Sequence, residues 1–209
     1  TIIDSNTRNE KIKNFFINNK KSLIMILSIT LLIIIGYLSI KELKAQKKIK
    51  LANLFYTTTI NFKNEEKKKT IDKLTKLINE KDSTYSPLAL YFLIDNDLIE
   101  NKDKINILFN ELIDKTTLEK EIKNLIIYKK ALFNSDISSE NELLQTLNPI
   151  INSESIWKSH ALYLIAEFFY SKNEKEKSKE FFKKILTLKN SNNDIKTQSQ
   201  KRINRDLSE

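Results

Sequence analysis

The chain has 209 residues, 30% of them charged, and a formal net charge of +9. It contains no Cys, which excludes disulfides, thiolate metal sites and cysteine nucleophiles, and with one Gly and two Pro it lacks most of the residues that tight hairpin turns require. The positive charge admits an anionic partner, but the only arginines are Arg8, Arg202 and Arg205, and surfaces that read bases or phosphates favour the planar guanidinium fork; the charge is read as a Lys-rich bias of the whole chain, with no nucleic acid expected.

A chain this poor in Gly and Pro is expected to be all-α. Residues 1–21 read as a short basic N-terminal segment, a tail to about residue 10 from which a long helix then carries the span. The stretch from Ser22 to Ile40, "SLIMILSITLLIIIGYLSI", then carries no charge and is apolar on every face. At 1.5 Å per residue it spans about 28 Å, close to the hydrocarbon thickness of a bilayer. Ser28, Thr30 and Ser39 can return their hydroxyls to the backbone, and Tyr37 sits near one boundary. A cleaved signal peptide has a shorter apolar core, about 7–15 residues, and a small-residue cleavage site; here "KELKAQ" follows instead. We therefore expect an uncleaved single-span transmembrane helix at 22–40. Lysine and arginine do not orient it. Arg8, Lys11, Lys13, Lys20 and Lys21 on one side face Lys41, Lys44, Lys47, Lys48 and Lys50 on the other.

Residues 41–209 repeat. The tetrads beginning at Asn53, Ala89, Leu125 and Ala161 follow one another at steps of 36 residues. Between them lie the trios Leu74-Leu77-Ile78, Phe109-Leu112-Ile113, Leu147-Ile150-Ile151 and Phe182-Ile185-Leu186, each spaced to share one helix face. Two alternating helix series at one step describe stacked helical hairpins. The span helix is expected to continue through Ala45 to Phe62, with further helices near 66–80, 86–100, 103–114, 118–134, 139–151, 155–172, 174–189 and 194–207. Ser139-Glu140 and Ser153-Glu154 read as N-cap regions. The last segment, "IKTQSQKRINRDL", reads as a polar closing helix of the kind a solenoid needs at its end.

The fourth hairpin, Ala161 to Asn190, resembles a tetratricopeptide repeat. Leu162 stands for the first large residue, Ile165 for the Leu and Ala166 for the Gly of that pattern. Phe169 matches the aromatic, Ser178 the small residue of the second helix, Phe182 its aromatic, and Asn190 the Pro. Ile185 replaces the second Ala and implies looser spacing there. Small Ala166 and Ser178 let the helices approach, while Phe169 and Phe182 fill the space beside them. The whole layout of basic segment, span, four degenerate hairpins and closing helix resembles the bacterial inner-membrane family of ancillary Sec translocon subunits, whose repeat domain is grouped with that of a cell-division coordinator. That resemblance implies a cytoplasmic N-terminus, a periplasmic repeat domain, and association with the translocon and periplasmic chaperones.

Chemistry is sparse. His160 is the only His, so no histidine pair can hold a metal, and no triad is spelled out. Gly36 is the only Gly and lies in the span, so no Gly-rich phosphate loop can form. The pairs Asp95/Asp97, Glu65/Glu66 and Glu140/Glu142 read as polar helix faces or ends. No catalytic residue, cofactor or metal is expected. Trp157 reads as inter-hairpin packing or as a binding anchor. Phe168, Phe169 and Tyr170 cannot all face one side of a helix, so the surface near Trp157, Tyr163 and Tyr170 is the expected partner-binding face. The expected function is a membrane-tethered protein–protein interaction module that docks translocon subunits, chaperones or emerging polypeptides. The alternative is an envelope-organising scaffold linked to cell division or wall synthesis.

Overall fold

The computed structural model describes residues 2–60 and 62–208. Among these residues lie ten α-helices, one 3-10 turn and no strand. They fall into two units, Thr1–Ala52 and Asn53–Glu209.

The first unit holds α1 (Ile2–Asn18) and most of α2 (Lys20–Ile60). The segment expected as a tail is thus helical. Its residues include neither Gly nor Pro, and helical hydrogen bonds run across the single-residue break at Asn19. The Asn19 amide N–H donates to the Phe15 carbonyl at 3.0 Å, and that of Leu23 donates to Asn19 at 2.9 Å. In α2 the large apolar side chains from Ile24 to Ile40 all stand exposed, and none of its apolar window is buried against protein. Such a helix is long and apolar enough to cross a membrane and is compatible with a single-pass anchor. The hydroxyls of Ser28, Thr30 and Ser39 donate to the carbonyls of Ile24, Ile26 and Ile35, each at 2.9 Å. This satisfies them within the helix, as apolar surroundings require. A Cβ added to Gly36 would touch nothing.

The second unit starts with the last turns of α2 and continues through α3 (Lys67–Asn79), α4 (Tyr85–Asp95), α5 (Lys102–Lys115), α6 (Lys120–Asn134), α7 (Glu140–Ile151), α8 (Lys158–Ser171), α9 (Lys175–Thr187) and α10 (Asn193–Asp206). Each helix from α3 packs on the next, and α3 also meets α5, as α6 meets α8. This is a stack of helical hairpins closed by α10.

Three apolar cores follow one another along the stack. The first joins Leu74, Leu77 and Ile78 of α3 to Leu90 and Leu93 of α4, Phe109 and Leu112 of α5 and Ile126 of α6; Leu54 and Phe55 at the end of α2 pack on it. The second joins Ile127 of α6, Leu147 and Ile150 of α7 and Ile165, Phe168 and Phe169 of α8. The third joins Leu162 and Ala166 of α8, Phe182 and Ile185 of α9 and Leu207. The helices that pack together lie one or two places apart in the chain, the pattern of a quasi-one-dimensional fold.

With so little Gly, other residues close the helices. Lys81, Asp97 and Asn173 adopt positive φ of 56°, 49° and 62°. At the ends of α4 and α8 the amides of Leu98 and Glu174 reach back to the carbonyls of Leu93 and Phe169, each at 2.9 Å. These are Schellman closures, and Leu98 adds the apolar contact that accompanies them by joining the first core. Asp97 is thus a helix-closing residue. Ser139 and Glu142 form a capping box at α7. The segment Ser153-Glu154, expected as the next N-cap, stays in the turn, and α8 begins at Lys158. Ser155 takes the structural role instead. Its hydroxyl accepts from the Trp157 amide at 3.1 Å and donates at 2.7 Å to Glu121 of α6. Asn106 of α5 and Asn134 of α6 exchange two amide hydrogen bonds, at 2.9 and 2.7 Å.

Candidate functional site

The fourth hairpin supplies most of the residues singled out in the sequence. Ile165, Ala166, Phe169, Ser178, Phe182 and Ile185 are essentially inaccessible, and Leu162 is buried. Helices α8 and α9 are closely packed, and the small side chains of Ala166 and Ser178 are fully buried within that pair. The Ser178 hydroxyl has no hydrogen-bond partner. Its small size, rather than its polarity, suits the position.

Trp157, Tyr163 and Tyr170 are all half-buried. Trp157 stacks on Tyr128 of α6, with ring centres 6.0 Å apart, and lies 5.2 Å from His160. It packs between the third and fourth hairpins. Tyr163 sets its ring edge-on to Phe182 at 5.3 Å. Burial, followed by the nearby Glu167 carboxylate, pushes its phenol up to about 12. Tyr163, Glu167 and Tyr170 share one face of α8 by their spacing, and α10 lies on that face. The Arg202 guanidinium sits 4.2 Å from the centre of the Tyr170 ring. It donates to both Glu167 oxygens at 2.7 Å and also pairs with Asp206. Phe168 and Phe169 turn the other way, into the second core. The aromatic run is thus divided between a neighbouring hairpin and the closing helix, and all three residues of the expected partner face serve packing contacts.

His160 completes the aromatic group of Tyr128 and Trp157. Its Nδ1 is buried without a hydrogen-bond partner, and burial pushes its pKa below the usual value. The folded state therefore favours the neutral ring. The unfolded chain takes up the proton near pH 6.5, so the stability that His160 contributes is present above that value and lost as pH falls through the lower folded one. Denaturation followed by Trp157 fluorescence should show a loss of stability between about pH 7.5 and pH 5.5 that is smaller in a His160→Phe variant. An equal loss in both proteins would show that the imidazole is not responsible.

Among the described residues no three His, Asp or Glu side chains gather as a metal site would require. Several carboxylates already have structural partners. Glu142 caps α7, Glu140 pairs with Lys177 at 3.1 Å, and Glu66 pairs with Lys69 at 3.2 Å.

The described residues of the second unit also form an open apolar groove. It has a volume of about 560 Å³ and runs between α3 and α5. Ile71, Leu98, Ile99, Ile107 and Leu108 line it, with Lys67, Glu100 and Lys104 as its charged residues, and Lys67 pairs with Glu100 at 4.0 Å. Ile107 is 64% exposed. The core face of α5 is Ile105, Leu108, Phe109 and Leu112, and Ile107 falls outside that register. An apolar residue off the buried face was the signal that could have located the groove from sequence. Comparison with protein-family models, curated proteins and solved structures finds no match to this chain.

Proposed function

We propose that this chain is a membrane-tethered protein–protein interaction module. Its setting would be the bacterial inner membrane, with the helical repeat domain in the periplasm beside the Sec translocon, where it meets translocon subunits, chaperones or emerging polypeptides. The observation that carries the reading is the combination of an unburied helix of membrane-spanning length with a hairpin stack that leaves an apolar groove open between α3 and α5. A groove of this kind takes an aliphatic or aromatic side chain of a partner polypeptide, and Lys104 beside it suits an acidic neighbour. The tether raises the effective concentration of such partners near the membrane. The action is docking, without turnover.

The test joins topology to crosslinking. Protease added after the outer membrane is opened should digest the domain beyond Lys41 while cytoplasmic markers survive. A photo-crosslinker at Ile107 should then capture translocon subunits or emerging chains, and one at Lys183 on the exposed side of α9 should not. Protection of the domain until the inner membrane is broken would overturn the periplasmic setting. Equal capture from both positions would overturn the groove as the docking site.

A further inference from the structure

The strongest unassigned feature is the surface of α1. Ile12, Phe15 and Phe16 follow the i, i+3, i+4 spacing of a single helix face, and they are 47%, 55% and 57% exposed. By helical spacing Lys11 and Lys13 fall on opposite flanks of that stripe and Arg8 one turn before it on the same face, while Glu10, Asn14 and the 60% exposed Ile17 fall on the far side. Between Thr7 and Lys21 there are five basic side chains and one acidic one. One residue, Asn19, separates α1 from the span-length helix α2.

We propose that α1 is a lipid-binding helix, whose Ile12–Phe15–Phe16 stripe enters the surface of the bilayer that α2 crosses while Lys11 and Lys13 meet anionic headgroups. The proposal rests on the membrane-tether reading above. An apolar stripe between cationic flanks is the pattern of an interfacial helix, since the rings enter the acyl boundary while lysine stems extend to the phosphates. In this arrangement the break at Asn19 is where α1 turns from the axis of α2 to lie along the surface, which brings Phe16, six residues before Ser22, within reach of lipid, and the basic excess gives the charge complementarity. A soluble partner for the same stripe would also have to accept Lys11 and Lys13, whereas an anionic lipid surface accepts both at once.

The absence of Cys makes the test direct. Single-cysteine variants Ile12→Cys, Phe16→Cys, Asn14→Cys and Leu31→Cys of the full chain are spin-labelled and placed in phosphatidylcholine vesicles with and without phosphatidylglycerol. Collisions with oxygen and with a water-soluble nickel chelate are then measured. In the anionic vesicles the oxygen-to-nickel ratio should be several-fold higher at 12 and 16 than at 14, and Lys11→Gln with Lys13→Gln should bring positions 12 and 16 back towards water. A lipid-like label at 31 beside water-like labels at 12 and 16 would overturn the proposal and leave the span intact. A water-like label at 31 would overturn the span and the proposal with it. Shielding at 12 and 16 from both reagents would indicate a protein partner and sink the lipid reading. Identical ratios in neutral and anionic vesicles would remove the role of the headgroup charge.

Discussion

Replacing Phe182 by Ala is expected to lower the stability of the helical domain by about 3–5 kcal/mol, the usual cost of an emptied aromatic site in a core. Domains of this size hold only about 5–15 kcal/mol in total. Phe182 is fully buried in α9 among Leu162 and Ala166 of α8, Ile185 and Leu207. Its ring meets Tyr163 at 5.3 Å and lies 6.0 Å from the Arg202 guanidinium. It therefore joins the fourth hairpin to the closing helix. Because contacts run between neighbours along the stack, the damage should be local. Hydrogen exchange of the full chain should lose protection first in α9 and α10, while amides of α4 and α5 keep theirs. Uniform loss of protection through all the helices would refute the neighbour-to-neighbour character of the fold. Unchanged protection in α10 would refute the role given to Phe182.

Arg202→Ala should release the closing helix at a cost of about 1–3 kcal/mol. That figure covers charge-assisted hydrogen bonds to Glu167 and a cation–π contact with Tyr170. The Arg202 side chain is only 15% exposed, so its partners lie where solvent replaces the lost bonds poorly. Arg202→Lys should recover only part of the loss, since a single ammonium cannot reproduce the two-pronged contact with both Glu167 oxygens. The clamp is also acid-sensitive. Hydrogen bonding from Arg205, then the neighbouring guanidinium charges, holds the Asp206 carboxyl below its usual range. Its contribution is present above the ordinary aspartate value and lost as pH falls below it. The readout is exchange of α10 amides in wild type, Arg202→Lys and Arg202→Ala. Equal protection in all three would show that apolar contacts at Leu207 and Ile203 hold the helix unaided.

Much of the architecture was legible in the sequence. Helices expected at 66–80, 118–134 and 139–151 lie at Lys67–Asn79, Lys120–Asn134 and Glu140–Ile151. The apolar trios of the first and third of these helices lie on their core faces: Leu74, Leu77 and Ile78 are inaccessible, as are Leu147 and Ile150, with Ile151 half-buried. Periodicity works there because one face of each helix is buried and the other is wet. It fails where a helix is apolar nearly all round, as in α8. Eight of the fourteen residues of α8 are buried, so spacing alone could not tell which aromatic faces which neighbour. The partner that covers Tyr163 and Tyr170 is α10, and α10 reads as polar. Arg202 carries no apolar signal, yet its guanidinium lies against the Tyr170 ring.

The sequence by itself determined the all-helical class, the span-length apolar helix and the 36-residue step of the hairpins. These follow from local quantities: almost no Gly or Pro, an uncharged run, and apolar spacing along one chain. Only the tertiary structure decided which surfaces stay open. It brought α10 onto the Tyr163–Tyr170 face, stacked Trp157 on Tyr128, and left Ile107 beside a groove between α3 and α5. It also extended helix back to Ile2, through residues before about 10 where a tail was expected. Whether an apolar side chain is buried depends on which helix lies across it. That is set by the packing of segments 20 to 40 residues apart, and no local pattern contains it.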